Sequence, residues 1–166
     1  MIQTLRILGI DPGLRHTGWG VVALHGSRLS HIAHGVISPD PELSLADRLG
    51  VVFSAVSELA KTHDPHAAGV EETIVNVNGR SALKLGQARG AAMAALAVRG
   101  LPVSEFAPKR IKQTVVGTGS ADKMQIAFMV KALLPQAGKT TSDSADALAC
   151  AICAAHHLPA GLGRVA

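Results

Sequence analysis

The chain has 166 residues and a mass of 17.1 kDa, which suits one domain with a single hydrophobic core and is short for two. Hydrophobic residues make up 48% of it, yet no segment contains the roughly 18 uncharged apolar residues that a membrane-spanning helix needs. Residues 1–6 lead directly into a strand pattern and lack the regions of a signal peptide. The sequence therefore predicts a soluble, cytoplasmic protein.

The charges are distributed unevenly around a formal net charge of +4. Between Arg80 and Lys139 there are ten basic residues and only two acidic ones, an excess of eight positive charges, so the remainder is net acidic. A basic surface beside acidic side chains is typical of a phosphate-binding face around a metal site, although solvated helix surfaces would give the same totals. Aromatic residues are 2% of the chain, too few for base-stacking platforms, so backbone and shape contacts are expected.

The first third of the chain carries three strand patterns. Residues 5–10 predict a buried strand. An Asp-Pro-Gly turn that begins with Asp11 ends this strand, because Pro lacks an amide donor and Gly permits positive φ. Residues 17–24 and 29–38 predict two further strands and thus a meander. Asp11 is expected at the end of the first strand, where its carboxylate is rigidly held and exposed.

Helices and strands then alternate. Apolar residues recur at helical spacing over residues 44–61 and predict an amphipathic helix. Residues 67–70 predict a fourth strand that, like the first, ends in acid, here Glu71 and Glu72. A strand points these two side chains to opposite faces, and the residue pattern alone does not choose between them.

A second helix is predicted from Ser81, as its N-cap, to Arg99, between a polar loop over residues 75–80 and a fifth strand over residues 101–106. This helix carries small residues four positions apart, namely Ala82, Gly86, Gly90 and Ala94. Such a stripe lets another backbone approach closely. It fits a two-fold dimer interface, and it fits packing on the protein's own sheet equally well.

Three further helices are predicted, over residues 108–116, 121–134 and 142–157. In the last of these helices, five chemically reactive residues follow one another at spacings of three or four positions and therefore share one face. They are Asp143, Asp146, Cys150, Cys153 and His157. The two acids fall in the first turn, where the macrodipole favours their ionised forms and where acids commonly cap. The cysteine pair lies mid-helix, which favours buried thiols over a redox or zinc site.

His31 and His34 are three residues apart in the third predicted strand. Strand alternation would place their rings on opposite faces of the sheet. The pair is therefore not expected to act as joint ligands.

Acids at two strand ends and on a late helix are what a two-metal phosphodiesterase site requires, because hard divalent cations need several oxygen ligands. Two such ions about 4 Å apart can generate hydroxide, orient a phosphodiester and stabilise the leaving 3′ oxygen. Without Asp11, one strand-end glutamate, Asp143 and Asp146, the chain has sixteen basic and eight acidic residues. That balance suits a polyanionic substrate.

Four segments together resemble the bacterial RuvC family of Holliday-junction resolvases, and the resemblance runs nearly end to end. The segments are GIDPG at residues 9–13, SALKLGQARG at 81–90, KQTVVG at 112–117 and ADALA at 145–149. The first motif also occurs in actin-like ATPases and other ribonuclease H-like proteins, but the four in this order are specific.

The resemblance implies an α/β, ribonuclease H-like fold with a five-stranded mixed sheet flanked by helices over residues 1–158, followed by a short tail over residues 159–166. It also implies a homodimer that nicks opposed strands of a four-way DNA junction in recombination and repair. The reaction would use two Mg²⁺ or Mn²⁺ ions per active site and leave 5′-phosphate and 3′-hydroxyl ends. The implied partners are the RuvA and RuvB branch-migration proteins.

Carried over position by position, the family's catalytic, metal-binding acids fall on Asp11, Glu71, Asp143 and Asp146. The basic residues expected at the DNA are Lys112, Lys123, Arg80, Lys84 and Arg89. Ile74 departs from the family, whose members carry a Phe that stacks or wedges at the junction centre; Ile keeps an apolar wedge but cannot stack. Position 143 varies in the family between Asp and His, and Asp adds negative charge that favours metal binding.

Other functions share parts of this pattern. A ribonuclease H-like RNA-processing nuclease would use the same acids, and a non-catalytic junction-binding dimer would use the same basic surface. A sugar kinase or actin-like ATPase has the same Asp-x-Gly turn, but 166 residues do not supply the two duplicated domains of that fold.

Overall fold

A computed structural model describes residues 3–73, 78–158 and 162 of the chain. A five-stranded mixed sheet runs through the described part in the order β3-β2-β1-β4-β5. The strands are β1 (Thr4–Asp11), β2 (Thr17–His25), β3 (Arg28–Ile37), β4 (Ala67–Glu71) and β5 (Val103–Phe106). The first three pair antiparallel, whereas β4 pairs parallel with both β1 and β5. The predicted α/β fold with a five-stranded mixed sheet is confirmed.

Five α-helices are present in the described residues: α1 (Leu45–His63), α2 (Gly79–Val98), α3 (Pro108–Val116), α4 (Lys123–Leu133) and α5 (Ser142–His156). A short 3₁₀ turn, Pro135–Ala137, lies in the loop predicted between the last two. Ser81 is not the N-cap of α2; the cap is Asn78, whose side chain accepts hydrogen bonds from the amides of Arg80 and Ser81. None of the helices in this part of the chain has the length and apolar character to span a bilayer.

Each face of the sheet has its own hydrophobic core, because alternate residues of β1 point to opposite sides. Leu8 and Ile10 pack with the buried residues of α1 and α2. Leu5 and Ile7 pack with α5, which α3 and α4 flank. By the same alternation, Asp11 at the end of β1 belongs to the α5 side.

Glycines let α5 lie directly on the sheet. A Cβ atom at Gly9 would lie 2.2 Å from the Ala147 carbonyl oxygen, and one at Gly18 would lie 2.0 Å from the Asp143 carbonyl oxygen. Both distances are far below van der Waals contact, so no side chain fits. Since Gly18 pairs with Asp11 across β1 and β2, this close approach holds the first turn of α5 beside the end of β1.

The expectation that His31 and His34 lie on opposite faces is wrong. The register of β2 and β3 shifts between Val21 and Val22, which leaves Ile32 as an extra, unpaired residue. This β-bulge breaks the alternation and returns both rings to one side, where His31 Nε2 and His34 Nδ1 are 2.9 Å apart. Sequence alternation alone gives no sign of such a bulge.

Parts of three predictions lie outside the described residues. These are the Ile74 wedge, residues 75–77 of the predicted loop, and all of the predicted tail over 159–166 except residue 162. The domain boundary at residue 158 therefore stays a prediction.

Candidate active site

A cavity of about 290 Å³ opens where the ends of β1 and β4 meet α5. Its polar lining consists of three acids and two lysines, namely Asp11, Glu71, Asp146, Lys112 and Lys123. Its apolar walls come from α3, α4 and α5. Three of the four predicted metal ligands and both lysines predicted near the cleaved phosphate thus share one cavity.

The parallel pairing of β1 and β4 positions two of the acids. Ile10 is aligned with Val70, so Asp11 and Glu71, the next residues, end neighbouring strands side by side. Glu71 and Gly69 are two residues apart in β4, so they face the same side of the sheet. The backbone at Gly69 lies against Cys150 and Ala154 of α5, so Glu71 is on the α5 side as well. The structure therefore places Glu71 beside Asp11, whereas Glu72 lies beyond the end of β4 and is exposed.

The start of α5 is fixed independently of the acids that it carries. Thr141 caps the helix in a reciprocal capping box with Ser144, which is buried. Asp143 and Asp146 are therefore not the capping residues. Asp146 lines the acidic cavity, whereas Asp143, one turn earlier, lines a neighbouring cavity and lies against Gly18 through its backbone.

The acids destabilise one another's ionised forms. Burial, followed by the charges of Glu71, Asp146 and Asp143, raises the pKa of Asp11 to about 8. Burial and the charge of Asp146 raise the pKa of Glu71 to about 7, against the opposing effects of Lys112 and Lys123. Burial also raises the pKa of Asp146, whose Oδ2 lies 3.9 Å from Lys123 Nζ. The two lysines therefore do not neutralise this cluster.

The donor set fits hard divalent cations. It consists of carboxylate oxygens, which Mg²⁺ and Mn²⁺ prefer, and the cluster is short of positive charge. In residues 3–73 and 78–158, no three histidine, cysteine or acidic side chains already converge as ligands of one ion. A bound cation would offset the mutual repulsion between the carboxylates.

The other predicted DNA-binding residues have different surroundings. Arg80 and Lys84 are exposed in the first two turns of α2. The guanidinium of Arg89 instead forms an ion pair with Glu105 and donates from Nε to the Glu71 carbonyl oxygen at 3.2 Å. Arg89 therefore holds the end of β4 in place, a role that its position in the sequence does not indicate, and its contact with DNA stays a prediction.

Cys150 and Cys153 are fully buried free thiols, as predicted. Burial raises the pKa of both, that of Cys150 strongly. These thiols therefore belong to the core beneath the site.

A mixed sheet of this strand order, with carboxylates at two adjacent strand ends and on the helix that crosses them, defines a nuclease of the ribonuclease H-like class. The profile of the family described as "Crossover junction endodeoxyribonuclease RuvC" matches residues 7–154. The chain belongs to this endonuclease family.

Individual relatives agree over nearly full length. The crossover junction endodeoxyribonuclease RuvC of Hyphomonas neptunium is 69% identical over 99% of this chain and 98% of its own. That of Caulobacter vibrioides is 57% identical over 89% and 87%. The structure of Thermus thermophilus RuvC in complex with a Holliday junction substrate is 33% identical, with a TM-score of 0.87 over 96% of this chain and 98% of that one.

Proposed function

We propose that this protein resolves four-way DNA junctions by metal-dependent nicking of two opposed strands, as a homodimer acting in recombination and repair. One observation carries the proposal: Asp11, Glu71 and Asp146 converge with Lys112 and Lys123 on a single cavity. The protein is similar over nearly its whole length to a RuvC that has been solved with a Holliday junction. The chemistry of the cavity and the substrate of that relative thus agree.

The four acids would hold two Mg²⁺ or Mn²⁺ ions, which when bound activate water and stabilise charge at the leaving 3′ oxygen. Lys112 and Lys123 approach the same cavity and can donate hydrogen bonds to the phosphate oxygens of the cut strand. The apolar walls, which include Ile111 and Ile126, limit the access of bulk water. Attack by water would leave 5′-phosphate and 3′-hydroxyl ends.

Asp143 is included as the fourth ligand on electrostatic grounds. Although its side chain lines the neighbouring cavity, its charge helps to raise the pKa of both Asp11 and Asp146. A carboxylate within such Coulombic reach would strengthen cation binding to the cluster.

The small-residue stripe of α2 supports a dimer. The buried residues of this helix, Ala88, Ala92, Ala95 and Leu96, lie on a different face. Gly86 and Gly90 are exposed, and a Cβ atom on either would meet no atom of the described residues within 4 Å. Leu83 and Val98 of the same helix are 64% and 79% exposed. The stripe is therefore not used for packing on the protein's own sheet and is open to a second copy.

We also propose RuvA and RuvB as partners, because they serve the family that the chain belongs to. The fold itself supports only the DNA-directed part of the proposal, through the charges around the cavity.

The proposal is tested by incubating the full-length protein with Mg²⁺ or Mn²⁺ and either a four-way DNA junction or a structured RNA. The wild type should nick opposed strands of the junction. Asp146→Asn should bind the junction but nick it about 1000-fold more slowly, because a metal ligand contributes several kcal/mol to the transition state. Glu58→Gln, an exposed substitution on α1, is the matched control.

Two results would overturn the proposal. Preferential cleavage of RNA would identify an RNA-processing nuclease. Tight binding of the junction without metal-dependent cleavage would identify a non-catalytic binding protein.

A further inference from the structure

A second cavity, of about 440 Å³, lies on the other side of the first turn of α5. It is formed by the turn between β1 and β2, the start of α1 and the first two turns of α2. Four basic side chains line it, namely Arg15, His16, Arg48 and Lys84. Asp143 is the one acid among the described residues that line it.

The arginines and the lysine around this cavity lack acidic partners within the described part of the chain. Among the described residues, no carboxylate oxygen lies within 4.0 Å of the charged groups of Arg15, Arg48 or Lys84. Arg15 and Lys84 are exposed. Asp143 therefore does not form an ion pair with any of them, and the cavity keeps a concentrated positive charge.

Arg48 differs from the exposed cations, because it is anchored from behind. Its Nη2 donates to the Leu14 carbonyl oxygen at 3.0 Å, which fixes the guanidinium of an α1 residue against the β1–β2 turn. Its Nε is buried and has no hydrogen-bond partner among the residues that the structure describes. A buried, unsatisfied charged donor is costly, and an anion in the cavity would offset that cost.

The position of the cavity beside the acids favours a phosphate of the same DNA strand as the anion. Asp143, at its edge, is one helical turn from Asp146 in the acidic cavity, or roughly 4.5 Å of helix rise. Successive phosphates of a DNA strand are spaced at about 3.4 Å along the helix axis. A strand with one phosphate at the acids would therefore place a nearby phosphate at the basic cavity.

We propose that the cavity lined by Arg15, Arg48 and Lys84 binds a second backbone phosphate of the DNA strand, within a few nucleotides of the phosphate that is cut. This inference rests on the proposed nuclease function. The subsite would fix the register of the strand, so that the scissile phosphate lies at Asp11 and Asp146 while the next contact is made at the β1–β2 turn.

The test is a methylphosphonate scan, which removes the charge of one DNA phosphate at a time. Junctions are made with a single neutral linkage at each position within three nucleotides of the cut, and binding is measured without divalent metal. At one position, neutralisation should weaken wild-type binding about tenfold, the cost of one charge-assisted hydrogen bond. The Arg15→Gln/Lys84→Gln double variant should bind the unmodified junction more weakly than the wild type does. Neutralising the phosphate at that same position should not weaken its binding further.

Arg15 and Lys84 are chosen because they are exposed, whereas removing Arg48 would release the Leu14 carbonyl. Arg28→Gln is the control, since Arg28 is exposed at the far end of β3, opposite the strand ends that bear the site. It should show the same scan as the wild type.

If the double variant is as sensitive as the wild type at every position, the subsite is wrong. That result is distinguishable from failure of the proposed function, which would appear as no nicking of an unmodified junction by the wild type in Mg²⁺ or Mn²⁺.

Discussion

The two cavities that flank the first turn of α5 are opposite in character. The inner one holds half-buried acids whose pKa values are raised, because burial and mutual repulsion disfavour their ionised forms. The outer one holds cations that no acid neutralises within the described residues. Acidic side chains therefore outnumber the two lysines in the inner cavity, and basic side chains outnumber the single described acid, Asp143, in the outer one. Under the proposed function, a metal-bound phosphodiester strand would compensate the charges of both cavities.

After Asp146→Asn, the next largest effect on nicking is expected at Lys123, whose Nζ lies 3.9 Å from Asp146 Oδ2. Lys123→Met should slow nicking of a four-way junction about 10- to 100-fold, because a charge-assisted hydrogen bond to the phosphate is lost. Single-turnover rates at saturating protein measure the change. Lys131→Met, two turns later on α4 and at a different cavity, should leave the rate unchanged. Equal losses in both variants would show that net charge, and not the position of Lys123, matters.

The separation of the two cavities depends on Gly18. Gly18→Ala would place a methyl group at 2.0 Å from the Asp143 carbonyl oxygen and push the first turn of α5 away from β1. We expect a loss of about 1–3 kcal/mol in the free energy of unfolding, the typical cost of overpacking, together with slower nicking. Urea denaturation measures the former.

Gly50→Ala on α1 is the control for this substitution, since its Cβ would meet nothing within 4 Å and it should stabilise the helix by roughly 0.5–1 kcal/mol. A Gly18→Ala variant of normal stability and activity would contradict the close packing of α5 on β2.

The inner cavity should also make the metal-free protein sensitive to pH. The pKa of Asp11 is raised from 3.8 to about 8 and that of Glu71 from 4.5 to about 7. A raised pKa means that the folded state binds more protons than the unfolded state between these values, so stability falls as pH rises from about 4 towards 8. In the presence of a chelator, the Tm of the wild type should fall by about 5 °C as the pH rises over this range.

Asp11→Asn should reduce this pH dependence, and Mn²⁺ should restore the Tm of the wild type at the upper end of the range. A metal-free wild type whose Tm rises from pH 5 to pH 8 would contradict the electrostatics of the inner cavity.

The smallest effect on the cavities is expected at the α2 stripe. Gly90→Leu should convert the protein to a monomer, because a bulky side chain prevents close approach of a second helix, while the cavities of each chain stay intact. Sedimentation measures the mass, and Mn²⁺ affinity should be unchanged. Gly50→Leu, at an equally open glycine on α1, should leave the assembly state unaltered. A fully dimeric Gly90→Leu variant would remove the stripe from the proposed interface.

Strand ends were the most predictable features. An apolar run precedes Asp11, and another precedes Glu71. An acid that directly follows a buried strand must lie at the edge of the sheet, so the local sequence was sufficient to place both acids there. The residue pattern alone does not distinguish Glu71 from Glu72, although the family resemblance indicates Glu71; the pairing of β4 with β1 places Glu71 beside Asp11.

Features that depend on long-range contacts were not predictable. The bulge at Ile32 arises from pairing with β2, and the strand pattern of β3 contains no glycine at that point to signal it. Arg89 looks like a surface cation in the sequence, yet Glu105 from another element neutralises it. The cations of the outer cavity come from three separate segments of the chain, so spacing arguments do not connect Arg15 with Arg48 or Lys84.

The central claim is that the inner acids form a divalent-metal site. Its most direct test is to titrate the chelator-treated wild type and the Asp11→Asn variant with Mn²⁺ and to follow binding by calorimetry. The wild type should bind Mn²⁺ with an affinity at least about tenfold higher than that of Asp11→Asn, because the variant loses a charged oxygen ligand shared by the cluster. Equal binding by both proteins, or no binding by the wild type in the presence of junction DNA, would contradict the account.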